Sequence, residues 1–270
     1  MTAITGGNQR PIINRLNAAF IQTLVNYLEK YPDEMLHIPA MLMAITQSRI
    51  SELGEDDIKC MAGGNPAWVK DAIEHNLDGL KSNVALFRPM ALAMPLRSIE
   101  YIATRLKQVK VLSVGPRTES EIFALVATGF DPANIKCLDL ISYSELVDLG
   151  DMHDMPYEDD SFDVIVLGWV LAYSTDQPKA VSEVLRVARA GAIVAVGCEY
   201  NPLSNEELRR RGVKAWDTPR FDRTDEILEL FGDHVETIYF RHDIHPTMRD
   251  KAGGLMVIFQ LRSDGEGTGA

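Results

Sequence analysis

The stretch that decides the fold runs from Lys110 to Tyr173. It opens as KVLSVGPRTESE over residues 110–121 and closes as GDMHDMPYEDDSFDVIVLGWVLAY over residues 150–173. KVLSVG is an apolar run that ends at Gly115 and passes straight into a segment with helical spacing; KCLD ends at Asp139, and FDVIVLG ends at Gly168. Short apolar runs that each stop at a polar or glycine-bearing turn, joined by helices, predict a parallel sheet whose carboxyl ends gather ligand-binding loops.

Working outward, strands are expected near 110–115, 135–139, 146–150, 163–168, 192–198, 235–242 and 255–262. Helices are expected near 118–129, 177–189, 204–212 and 223–231. The last two strands are separated by a loop alone, which predicts a mainly parallel sheet ending in an antiparallel hairpin.

Upstream of Lys110 the pattern changes. Ile12, Ile13, Leu16, Phe20, Leu24, Tyr27 and Leu28 recur at three- and four-residue steps, and Tyr31-Pro32 breaks the run. Further helices are expected over 39–53 and 56–61, from Pro66 through Met94 with an interruption at Pro89, and over 96–108. The expected organisation is a helical region over 1–108, a sheet domain of α/β class over 109–262, and a flexible tail over 263–270.

Composition sets outer limits. The 270 residues are 46 % hydrophobic and 24 % charged, ordinary for a globular chain with a sizeable core. The net charge of -12 comes from 39 acidic and 27 basic residues, and no basic run exceeds Arg209 to Arg211, so a nucleic-acid partner is not expected. Cys60, Cys137 and Cys198 form no CxxC pair, and two of them sit in apolar strand-like runs where a free buried thiol is usual. The chain starts without a charged segment followed by an apolar one, and no apolar run is long enough to span a bilayer. A cytoplasmic setting with no membrane partner is the resulting expectation.

Local chemistry singles out a few residues. A strand ending at Gly115 lets backbone approach a ligand, and the following helix start offers unpaired N–H groups to a carboxylate or phosphate. Thr118 and Glu121 have the spacing of a capping box, which gives both a structural duty. Asp139, twenty residues beyond Glu119, stands where a carboxylate can accept from both hydroxyls of a ribose. Tyr143, Trp169, Tyr173 and Tyr200 each follow a strand and are expected at one end of the sheet, where aromatic faces attract a cation. Glu199, Tyr200 and Asn201 occupy places suited to orienting a substrate or accepting a proton. His242 and His245 in HDIHP lack further ligands, so no metal is expected.

The segment over 150–163 resembles the GDxxxLPFxDxSFDxV pattern of class I S-adenosylmethionine-dependent methyltransferases, with Gly150, Asp151, Met155, Pro156, Tyr157, Asp159, Ser161, Phe162 and Asp163 in matching places. The resemblance extends back to VLSVG and Asp139 and forward through the helix beginning DQPKAV, covering roughly Lys110 to Gly197. It implies a Rossmann-like seven-stranded fold and S-adenosylmethionine as cofactor. Gly115 would then pass beneath the methionine part, with Pro116 in the same turn, and Asp139 would hold the ribose. Asp151, Met152 and His153 would border the adenine, and Gly168 and Trp169 would face the sulfonium and substrate. Trp169, Tyr173, Tyr200 and Asn201 become the candidates for orienting the acceptor. Phe162 and Asp163 are read as packing and turn residues.

One departure is plain. The family pattern after the first strand is an acidic residue and three alternate glycines; here those places hold Ser113, Gly115, Arg117 and Glu119. Arg117 can pair with the cofactor carboxylate and Glu119 with its ammonium group; alternatively the two pair with each other and close the site. The leading expectation is methyl transfer to a small molecule beneath a helical lid carrying Trp68, Phe87 and Met90. The altered turn keeps open attack on the aminocarboxypropyl arm, as in azetidine-2-carboxylate synthases, and a non-catalytic scaffold. Assembly as a homodimer is left open.

Overall fold

The computed structural model describes residues 18–61, 73, 74, 77, 87–213, 215 and 218–263. Residues 1–8, Trp68, most of the helix expected from Pro66 and the tail after Ser263 lie outside them.

The apolar runs form the strands. A seven-stranded sheet contains β2 (Val111–Val114), β3 (Ile135–Asp139), β5 (Asp148–Leu149), β6 (Phe162–Gly168), β7 (Ala188–Tyr200), β8 (Val235–His242) and β9 (Gly253–Leu261), in the order β5-β3-β2-β6-β7-β9-β8. β5, β3, β2, β6 and β7 run parallel; β9 is antiparallel to both β7 and β8. The architecture is therefore α/β and Rossmann-like, and the expected terminal hairpin is present with β9 inserted beside β7. The chain winds from β2 outward through β3 to β5 and then crosses back to β6 on the other side of β2, so the crevice between the β2 and β6 ends opens at a topological switch point.

Alternation along each strand builds two cores. Leu112, Val114, Ile165, Leu167, Val194 and Val196 face α6 (Gln177–Val187) and α8 (Thr224–Phe231). Val111, Val164, Val166, Ile193 and Ala195 face α3 (Phe87–Arg97), α4 (Glu100–Ala103) and α5 (Ser120–Ala127). Period-two placement puts Ser113 on the α5 side, the one polar step in an otherwise apolar strand. A short helix, α7, covers Asn205–Arg210.

Upstream lie α1 (Ala18–Lys30) and α2 (Pro39–Ser51), close to expectation. Three expectations are corrected. The helix expected over 56–61 is a single 3-10 turn, Glu55–Asp57, closed by the Asp57 carboxylate on the Gly54 N–H at 2.7 Å. The chain then extends as β1 (Lys59–Cys60), antiparallel to β4 (Ile141–Ser142), so the helical region contributes a strand. Pro89 interrupts nothing, because it sits in the first turn of α3, where its missing N–H is not needed. The break comes instead at Ile99, whose extended backbone separates α3 from α4.

Candidate active site at the carboxyl edge of the sheet

The turn after β2 is built on two left-handed residues, Gly115 at φ 72° and Arg117 at φ 53°. A side chain at Gly115 would meet Val170, with a Cβ only 2.5 Å from the Val170 Cγ2. Glycine is needed there because the loop after β6 packs onto the turn, a cause the sequence alone did not reveal. The backbone N–H of Arg117 donates to Asp139 Oδ2 at 2.8 Å, and Ile141 N–H reaches Asp139 Oδ1 at 3.3 Å. Burial pushes the Asp139 carboxyl up, while the bonds from Arg117 and Ile141 hold it down. Asp139 thus joins the ends of β2 and β3 in addition to facing the crevice.

Glu119 does not pair with Arg117. Its buried carboxylate receives two bonds from the Arg49 guanidinium, at 2.6 and 2.9 Å, and a third from Ser144 Oγ at 2.6 Å. Its backbone N–H donates to Tyr143 Oη at 3.1 Å, and burial raises the Tyr143 phenol to about 12. The residue in the place of the third glycine is therefore drawn towards α2, leaving the crevice to others.

Glu121 is the residue that sequence reading placed wrongly. The helix start lacks a side-chain cap, and Glu121 turns inward instead, where Ser113 Oγ donates to its Oε2 at 3.2 Å. Its carboxylate lies against Gly168: a Cβ on that glycine would come within 2.7 Å of Oε2. Burial raises the carboxyl to about 8, and the Ser113 bond offsets only part of that rise. The signal available in sequence was the serine standing where an acidic residue belongs, eight positions before a glutamate that can reach it.

Along the loop before β6, Asp151 Oδ1 meets His153 Nδ1 at 2.6 Å, and His153 Nε2 meets Ser174 Oγ at 2.7 Å. The ring thereby bridges the loop after β5 to the loop after β6. Burial pushes the Asp151 carboxyl up, but the His153 ring and backbone N–H outweigh it and leave it below the usual range. Met152 packs against the core beside this bridge. The Ser174 hydroxyl is fully buried, so this Asp-His-Ser row is a positioning device and not an exposed nucleophile.

Trp169 has φ 63°, which swings its ring over Gly197, where a Cβ would come within 3.0 Å. Arg88 of α3 stands over the indole, 5.6 Å from its centroid, and pairs with Glu199 at the end of β7. Tyr173 is partly buried beside them, and burial raises its phenol. Tyr200 is directed elsewhere, donating to Arg249 O at 2.9 Å, and Asn201 Oδ1 accepts from Leu203 N–H. The four aromatics stand at one end of the sheet, as expected, but their hydroxyls and rings serve different loops. Phe162 packs edge-on against Tyr157, and Asp163 receives Lys110 N–H and Arg189, the packing and turn duties expected of them. His245 receives the Thr247 N–H at 3.4 Å and starts a turn.

Residues 118–196 match the model of a methyltransferase domain. No curated protein matches the chain by sequence. Among solved structures, the Burkholderia thailandensis 1,6-didemethyltoxoflavin-N1-methyltransferase, with 1,6-didemethyltoxoflavin and S-adenosylhomocysteine bound, is similar at 12 % identity and a TM-score of 0.50, covering 76 % of this chain and 95 % of that one. The MccD protein matches at 12 % identity and a TM-score of 0.46, over 60 % of this chain and 95 % of that one. The [4+2]-cyclase SpnF matches at 16 % identity and 0.41, over 60 % and 79 %.

Proposed function

We propose that this chain, whose residues 118–196 match the model of a methyltransferase domain, is a class I S-adenosylmethionine-dependent methyltransferase that binds its cofactor at the carboxyl edge of β2, β3 and β6 and transfers a methyl group to a small molecule. The observation that carries the reading is the set of polar groups converging there. Asp139 offers acceptors for a ribose diol, and Asp151, Met152 and His153 border the place of an adenine. Arg117, one residue past Pro116, offers a cation for the cofactor carboxylate. The ribose diol, the adenine and the carboxylate of the cofactor thus each have a complementary group in this chain.

The cofactor supplies an electrophilic methyl group on a sulfonium. The protein's part is alignment and exclusion of water. Trp169 and Tyr173 at the end of β6, beside Gly168, are the residues assigned to the acceptor. Tyr200 and Asn201, held by Arg249 and Leu203, position the floor on which an acceptor rests. Residues before 109 act as the cover of the domain over 109–262. The Arg49 to Glu119 and Arg88 to Glu199 pairs tie that cover to the edge at two points, which favours an enclosed small substrate.

Titration calorimetry with S-adenosylhomocysteine tests the cofactor site, and absence of binding removes the reading. Incubation with S-adenosylmethionine and candidate acceptors then tests the chemistry. S-adenosylhomocysteine formed only with an acceptor supports methyl transfer. Methylthioadenosine released without one favours attack on the aminocarboxypropyl arm, the reading suggested by the divergent turn over 115–119.

A further inference from the structure

Glu121 is a buried carboxyl that methyl transfer does not use, and its surroundings are unusual for a group of structural purpose. It lines a small cavity with Ser113, Gly168, Trp169, Leu92 and Pro89, which has about 10 Å³ of room for the centre of a water-sized group. That is enough for one water molecule or one ammonium head. The walls are otherwise apolar. Among the described residues Glu121 forms no ion pair, and Ser113 Oγ is its side-chain hydrogen-bond partner. A structural buried carboxylate is normally matched by a cation or by several N–H donors, as Glu119 and Glu183 are here.

We propose that Glu121, together with Ser113, is the receptor for the ammonium group of an amino-acid-bearing nucleoside bound at this edge. The inference rests on the cofactor reading above and gives that site its specificity for the amino-acid arm. A primary ammonium is the cation that suits the place. It donates three hydrogen bonds, is the size of water, and meets only acceptors here, two carboxylate oxygens and a hydroxyl. A sulfonium carries three carbon substituents and donates none, so it fits neither the volume nor the acceptors. The carboxylate missing from the end of β2 is in this way supplied from the first turn of α5.

The charges around the group set its proton state. Burial, and after it Asp139 from β3, favour the protonated form; the Ser113 bond, Arg117 from the turn and Arg88 from α3 oppose this, and Cys137 from β3 is an un-ionised thiol pushed up by burial. In the free protein at pH 7 the carboxyl is mainly protonated. Arrival of the ammonium converts Glu–COOH and R–NH3+ into the pair Glu–COO− with R–NH3+, and one proton leaves to solvent.

Calorimetry on the whole chain at pH 7, in two buffers of different ionisation enthalpy, tests this with S-adenosylhomocysteine, which has the ammonium, and 5′-methylthioadenosine, which lacks it. The wild type is expected to release about one proton with the first ligand and none with the second. Glu121→Gln keeps the shape of the protonated carboxyl and so folds normally. It is expected to weaken S-adenosylhomocysteine by roughly tenfold or more, abolish proton release, and leave methylthioadenosine unchanged. Equal weakening of both ligands, or unchanged S-adenosylhomocysteine binding with proton release intact, overturns the inference alone. A wild type that binds neither ligand overturns the cofactor reading and this inference with it.

Discussion

The guanidinium of Arg49 forks onto the carboxylate of Glu119 across seventy residues of chain, at 2.6 and 2.9 Å, with the glutamate 1 % exposed and the arginine 52 %. This pair joins α2 to the turn that follows β2. Because the carboxylate is buried and the arginine half in solvent, losing the arginine matters more than the pair's net worth. Arg49→Ala is expected to cost about 2 kcal/mol in urea unfolding and to speed proteolysis of the segment before β1. Unchanged stability and unchanged cleavage would show that the pair is dispensable.

Whether such a relationship can be read from sequence depends on its range. β2, β3 and β6 were legible because each is a largely apolar run closed by a glycine or an acidic residue, a signal contained in a few neighbouring residues. Asp139 could be singled out by its step from the turn at Gly115, and Asp151 and His153 through the resemblance carried by residues 150–163. Arg49 carries no comparable mark; its partner is distant and its own helix gives no hint of it. Glu121 was misread because a glutamate three residues after a threonine satisfies a local rule, whereas its actual partner, Ser113, lies on the strand before. The Val170 side chain over Gly115 belongs to the same class, a contact between loops whose approach only the assembled sheet determines.

That contact predicts a coupled pair of substitutions. Gly115→Ala puts a Cβ into Val170 and asks alanine to hold φ 72°, at a combined cost of about 2 to 4 kcal/mol. Adding Val170→Ala removes the clash and leaves the backbone strain. Unfolding of the two single variants and the double variant should therefore show a favourable coupling on the order of 1 kcal/mol. Strict additivity would mean that the two residues do not meet.

His153 gives a prediction in acid. The folded Asp151 carboxyl lies below its unfolded value, so it contributes stability above the unfolded value, near 4, and loses it as pH falls through the folded one. His153→Ala removes the ring's bond and keeps the backbone N–H of residue 153 on Asp151 Oδ1, so less opposes the burial that raises the carboxyl and the contribution shrinks. The acid unfolding midpoint is expected to move to higher pH, with a loss of about 1 to 3 kcal/mol near neutrality. An unchanged acid limb would detach His153 from Asp151.

The three cysteines divide by exposure. Cys60 is exposed; Cys137 and Cys198 are buried in β3 and β7, and burial raises both thiols. A thiol reagent at pH 8 should label Cys60 in the native protein, and all three cysteines after unfolding. Rapid native labelling at Cys137 or Cys198 would mean that the sheet opens.

Glu121 should dominate the pH dependence of stability on the alkaline side. Its carboxyl rises from an ordinary value near 4.5 to about 8 in the fold, so the native state binds more protons than the unfolded chain between those limits. Stability from this group is complete below about 4.5 and falls steadily as pH rises to about 8. The total change is on the order of 4 kcal/mol, and water entering the small cavity would reduce it. Glu121→Gln cannot ionise, so its unfolding free energy should match the wild type below about pH 4.5, exceed it increasingly up to about pH 8, and keep a constant excess above that. Saturating S-adenosylhomocysteine should bring the wild-type curve towards that of the variant, because a bound ammonium removes the cost of the charge. Parallel curves for wild type and variant across this range would show that the carboxyl ionises at its ordinary value, and the receptor assigned to it would lose its physical basis.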